Sequence, residues 1–80
     1  MSIKRVGWKH LGTETFGMMF FAIAINVDGE KKLVTFNFFN GNIKITSNEV
    51  KPDPDNMVLA SIMIIARKTV IEYISHCETK

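Results

Sequence analysis

From Met18 to about Thr46 large apolar residues largely alternate with small or polar ones, and from Met57 to Cys77 apolar residues recur with a helical period. This order predicts a sheet first and a helix last. Asp28-Gly29 and Asn40-Gly41 punctuate the alternating stretch. Each dipeptide suits a two-residue type I′ turn, whose two positions both take positive φ. With Asp28-Gly29 as the loop, Val27 pairs with Glu30, Ile23 with Val34 and Phe21 with Phe36. With Asn40-Gly41 as the loop, Phe39 pairs with Asn42, Phe38 with Ile43 and Phe36 with Ile45. The two turns set their registers independently, yet both agree on one apolar face: Met19, Phe21, Ile23, Ile25, Val34, Phe36, Phe38, Ile43 and Ile45. The reverse face carries Phe20, Ala22, Ala24, Asn26, Thr35, Asn37, Lys44 and Thr46.

Upstream, Ile3 to Leu11 reads as a first strand interrupted by Gly7, and Gly12 to Gly17 as a loop. Simple alternation points Val6 and Trp8 one way, Arg5 and Lys9 the other. Trp8 then has two readings, a ring closing the edge of the core or an exposed anchor of the type that dominates interfaces. Downstream, Asn48 to Pro52 is a short connection, because Pro52 and Pro54 cannot continue a ladder.

Asp53-Pro54-Asp55-Asn56 is a helix start: Asp53 accepts from free amides, Pro54 suits the first helical position and Asp55 meets the positive dipole end. Within the helix, Val58, Leu59, Ile62, Met63, Ile65, Ala66, Val70, Tyr73 and Ile74 form one broad apolar arc facing the sheet. Ser61, Lys68, Glu72 and Ser75 lie opposite, and Glu78 to Lys80 form a frayed tail. A second stripe, Met57, Ala60, Ile64 and Ile71, runs beside the main arc. It either flanks a wide core contact or marks a second protein surface.

The expectation is an α+β fold. A four-stranded antiparallel β-meander with two tight hairpins is followed by one long C-terminal helix on one sheet face, in a single β-β-β-β-α domain over residues 1–80. The helix is roughly 33 Å long at 1.5 Å per residue. Four strands span only about 15–20 Å across. One helix end therefore overhangs, and with the second stripe this favours a homodimer. The element order is similar in outline to the positive-cofactor-four type of single-stranded-DNA binder, which dimerises partly through helices. That resemblance rests on topology, and it carries no residue role.

Composition narrows the class. Apolar residues make up 46% of the 80 positions, enough for a packed core. The net charge of +2 permits an acidic partner without requiring one. One cysteine, Cys77, excludes an internal disulfide and fits a reducing compartment. The apolar runs Met18–Ile25 and Met57–Ala66 fall short of the ~20 residues that cross a bilayer. Basic residues before Met18 and the Ala22-Ile23-Ala24 triplet imitate a signal peptide, but Glu14 and the very short apolar run oppose that reading. A cytoplasmic location is expected.

Catalytic and metal chemistry find little support. Gly12 and Gly17 have the glycine spacing of a phosphate loop, but Met18-Met19 stand where Lys and Ser/Thr are needed. Asp53-Pro54-Asp55 begins like a calcium loop and lacks the later glycine and bidentate glutamate. Glu72 and His76 share a helix face, with Cys77 about 100° away. A His76 pairing with Glu72 and the helix C-terminus explains that cluster better than a four-ligand site. His10 stands alone, and Cys77 reads as a small apolar residue ending the core arc. No enzyme, metal or cofactor is expected.

Two binding readings follow. The first is a small non-enzymatic protein-binding module of the inhibitor or adaptor type, by analogy with those of phages and mobile elements. It is homodimeric through Met57, Ala60, Ile64 and Ile71, and acts by occupying a surface on a larger macromolecule. The second is single-stranded nucleic-acid binding on the open sheet face through Arg5, Lys9, Phe20 and Lys44, with Lys31 and Lys32 at the hairpin end. A solvated face with charges for solubility is the plain alternative. Phe20 is the one outward aromatic that this assignment of faces supplies, whereas single-strand binders usually offer several. A small-molecule site between sheet and helix is disfavoured, since large Phe, Ile and Met side chains fill that space.

Overall fold

The computed structural model describes residues 3–50 and 57–78. Strands β1 (Ile3–Thr13), β2 (Met19–Val27), β3 (Glu30–Phe39) and β4 (Asn42–Asn48) form one antiparallel sheet in the order β1-β2-β3-β4. Helix α1 (Met57–Glu78) follows and packs on one face. The expected capping segment Asp53–Asn56 lies outside the described residues.

Both hairpins are type I′ in the sense the sequence demands. Asp28 and Gly29 have φ of 50° and 89°, and Asn40 and Gly41 have 55° and 83°. Asn26 reinforces the first turn, its Oδ1 accepting from Gly29 N at 2.8 Å. All six cross-strand pairs deduced from the two turns are present. The turn chemistry therefore fixes the central register without help from the helix.

The sheet's inner face and α1 enclose Phe21, Ile23, Ile25, Val34, Phe36, Val58, Ile62, Ala66 and Val70, all buried. Phe21 and Phe36 stack at 5.3 Å between ring centres and 14° between planes. Val50, just past β4, is buried too and joins this core beyond the last ladder pair. Trp8 closes the edge, lying 6.5 Å from Phe21 and 6.3 Å from Tyr73 between centroids. His10 belongs to the same cluster, 4.3 Å from the Tyr73 ring, with Nε2 2.9 Å from Thr13 Oγ1.

Strand β1 departs from simple alternation. It reaches Thr13 rather than Leu11, leaving Glu14–Met18 as a tight loop closed by Glu14 N donating to Met18 O at 2.8 Å. It also carries two bulges: the register slips between Arg5 and Gly7, and again between His10 and Gly12. Val6 and Leu11 are the extra residues, both exposed. Each bulge inserts one residue against the partner strand and resets the alternation beyond it. With Val6 and Leu11 set aside, the strand alternates without error. Ile3, Arg5, Trp8, His10 and Thr13 lie opposite inner-face residues of β2, while Lys4, Gly7, Lys9 and Gly12 lie opposite outer ones. Arg5 and Lys9 therefore occupy different faces, contrary to plain alternation.

The buried arc of α1 is narrower than its apolar periodicity. Leu59 and Ile74 are exposed, as is Cys77, so none of the three belongs to the core. Ser61 is half-buried rather than in water. Thr69, a polar residue, is fully buried instead, with Oγ1 donating to Ile65 O at 2.8 Å. This back-bond satisfies the hydroxyl within the helix and lets a polar side chain take a core position. Hydrogen bonding with Cys77, one turn on, raises the Tyr73 pKa above the ordinary phenol value, and desolvation adds to the rise.

Candidate functional site

Two exposed surfaces remain once the core is assigned, one on each side of the molecule. The first is the outer side of α1. Met57, Ile64 and Ile71 are 65%, 58% and 59% exposed, and Ala60 between them is exposed as well. The stripe is apolar because the helix carries large aliphatic residues on both sides, and the sheet covers only one. Arg67 occupies the position that would complete the 3-4 spacing between Ile64 and Ile71, and it too is exposed.

The second surface is the sheet face turned away from the helix. The registers lay it out in rows: Lys4–Asn26–Lys31, Gly7–Ala24–Leu33, Lys9–Ala22–Thr35 and Gly12–Phe20–Asn37–Lys44. Phe39 and Asn42 follow at the turn. Thr35 and Thr46 hydroxyls meet at 3.0 Å on this side. Of the residues expected here, Lys9, Phe20 and Lys44 are in place. Arg5 is not.

Arg5 instead turns toward α1. Its Nη1 donates to Thr69 Oγ1 and its Nη2 to both Glu72 carboxylate oxygens, each at 2.8 Å. These hydrogen bonds hold the Glu72 pKa below the usual carboxylate value against partial desolvation, with the Arg5 charge and the Trp8 side chain adding to the lowering. The first bulge explains the placement, since Arg5 lies opposite the inner residue Ile25. The guanidinium fastens helix to sheet and is no part of the open face.

The open face gains what it loses. Lys4 and Lys31 join Lys9 and Lys44, all four exposed. Lys32 lies opposite inner Ile25 and pairs with Glu30 at 3.2 Å, so the two hairpin-end lysines part company. No aspartate or glutamate stands at a described strand position on this face. Phe39 alternates outward from Phe38, and Phe16 in the loop meets it edge-on at 5.4 Å between ring centres. Phe20 is the diagonal neighbour of Phe39, since it pairs with Asn37. Such diagonal positions are about 7–8 Å apart and within reach of aromatic side chains. Three phenylalanines thus gather at one end of the face, not one. The signal for Phe39 was already in the Asn40-Gly41 turn, whose register fixes its parity. The position of Phe16 follows from the loop, which has no sequence period.

Between the lysine rows the floor is small: Gly7, Ala22 and Ala24 line a shallow depression bounded by Lys9 and Leu33. Among the described residues, no group of three His, Cys, Asp or Glu side chains is placed to hold a metal ion, and no helix is long and apolar enough to cross a membrane. Compared with known proteins, the chain matches no family model, no curated protein and no solved structure.

Proposed function

We propose that this chain is a small binding module without catalytic machinery, of the inhibitor or adaptor type, that works as a homodimer paired through the outer stripe of α1. The observation that carries the reading is the exposure of Met57, Ile64 and Ile71 on a helix whose other side is already occupied by the core. An apolar seam with 3-4 spacing is the pattern by which helices pair.

The stripe also has an internal symmetry. Met57 precedes Ile64 by two turns and Ile71 follows it by two turns. An antiparallel pair on a two-fold axis through Ile64 sets Met57 of one protomer against Ile71 of its partner, and Ile64 on Ile64. It separates the two Arg67 side chains by about 9 Å along the axis. A parallel pair would bring the two Arg67 charges face to face. Antiparallel pairing is therefore the arrangement the side chains favour, and it leaves both open sheet faces on the outside, free for a larger macromolecule.

Light scattering on the eluting protein tests this. The chain has a mass of 9.1 kDa, so a dimer gives twice that value. Ile64→Glu places two carboxylates on the axis and returns the monomer mass. A wild-type protein that stays monomeric at high micromolar concentration refutes the pairing.

A further inference from the structure

We propose that the open sheet face binds single-stranded nucleic acid, with phosphates drawn to the lysine rows and unpaired bases stacked on the phenylalanine cluster. The inference goes beyond the helix pairing and does not depend on it.

Charge complementarity is the first argument. Among the described residues the strand positions of the face hold four lysines and no carboxylate, while Glu14 borders the face beside Phe20 and Glu49 lies at its edge, with Oε1 accepting from Leu33 N at 2.7 Å. Lysine is thus the one charged residue across the body of the face among the described strand positions, and the two carboxylates stand at its margins. A polyanion is the ligand such a field concentrates. Lys9 and Lys44 stand on the outer strands on either side of the β2–β3 centre, while Lys4 and Lys31 close one end.

The aromatic end supplies the second argument. Exposed rings cost apolar hydration, and Phe16 and Phe39 remain 59% and 39% exposed although they touch each other. Rings held this way present faces and edges to a flat partner. Stacking tolerates any base, because every base has a π face. The small floor of Gly7, Ala22 and Ala24 lets a strand lie close to the sheet between the rings and the far lysines.

The shape selects single strands over duplex. Duplex bases are already stacked, so Phe20 and Phe39 find no free base face there. Nor does this face raise a helix or ribbon that could enter a groove. Unpaired DNA and RNA share the chemistry, and the face shows no device that separates them.

Fluorescence anisotropy with labelled 20-mers of oligo-dT, oligo-U and a mixed-sequence duplex provides the test, between 50 and 200 mM salt. Single strands should bind more tightly than duplex. Four neutralised phosphates give a log–log salt slope of about −3, or roughly 50-fold weaker binding across that range. Lys9→Glu with Lys44→Glu should weaken binding by more than tenfold and flatten the slope. Phe20→Ala and Phe39→Ala should each cost about 5- to 150-fold. Circular dichroism checks that the variants stay folded. Ile64→Glu, which breaks the proposed dimer, should still bind one strand per monomer, so the two readings fail separately. No single-strand binding at 50 mM salt, equal binding to duplex, or indifference to the lysine reversals overturns the inference. Binding confined to an acidic polypeptide such as polyglutamate overturns it in favour of a protein ligand.

Discussion

Arg5 on the first strand and Glu72 near the end of the helix are joined by a forked contact, Nη2 lying 2.8 Å from each carboxylate oxygen. The pair ties the two ends of the chain together. Glu72 has a lowered pKa in the folded state, chiefly through hydrogen bonding from Arg5. A lowered carboxylate pKa gives stability that is present above the unfolded value near 4.5 and is lost as pH falls through the folded one. Urea titrations at pH 7 and pH 3 should therefore show a smaller acid loss in Glu72→Gln than in the wild type. Equal losses would mean that the contact does not couple to folding.

Thr69 is the buried end of the same fork. Thr69→Val keeps the shape and removes both the acceptor for Arg5 Nη1 and the donor to Ile65 O. Leaving the Arg5 donor without this acceptor should cost about 1–3 kcal/mol. Thr69→Ser keeps the hydroxyl and should cost only about 1 kcal/mol for the lost methyl. Denaturation midpoints of the two variants give the comparison, and a Val variant as stable as the wild type would show that the hydroxyl's two hydrogen bonds contribute nothing net to stability.

Two neighbouring isoleucines on α1 should behave oppositely. Ile62 is fully buried and Ile64 is 58% exposed. Ile62→Ala should lose about 2–5 kcal/mol of stability. Ile64→Ala, measured at concentrations low enough to keep the chain monomeric, should stay within about 0.5 kcal/mol of wild type. A comparable loss at both positions would place the helix in a different rotation on the sheet.

The bulges make a stricter prediction. Val6 is an added residue between Arg5, which pairs with Ile25, and Gly7, which pairs with Ala24. Deleting it leaves a regular strand in which Arg5 still faces the helix. The Val6 deletion should therefore fold, and Glu72→Gln should have the same effect in it as in the full chain. If the deletion abolishes that effect, the facing of Arg5 depends on the bulge geometry itself.

These contacts mark how far the sequence could be read. The Asp28-Gly29 and Asn40-Gly41 turns carry their own register, so the β2–β3 pairing, and the β3–β4 pairing as far as Phe36–Ile45, follow from local chemistry; beyond that pair the register slips by one at Thr46, and Thr35 meets Ser47. Strand β1 has no such turn to anchor it. Its alternation is broken twice by residues that resemble ordinary strand residues, so plain alternation puts Arg5 on the wrong face. On α1, Leu59 and Ile74 fit the apolar period as well as Val58 and Ile62 do. Only the width of the sheet decides which are covered. Thr69 lay outside any apolar pattern, and its burial depends on a partner 64 residues away. Of the open face, Lys9, Phe20 and Lys44 were legible. Phe39 needed the turn parity carried one residue further, and Lys4 and Lys31 needed the rows drawn across the sheet.

The interruptions at Val6 and Leu11 have one more effect, because β1 forms an outer border of the sheet. Its free amides and carbonyls are regular only over Ile3–Arg5, Gly7–His10 and Gly12–Thr13. A foreign strand needs a longer uninterrupted border to add itself in register, and bulges together with outward lysines are how sheets discourage such addition. Strand-by-strand growth into fibres is thereby blocked on this side.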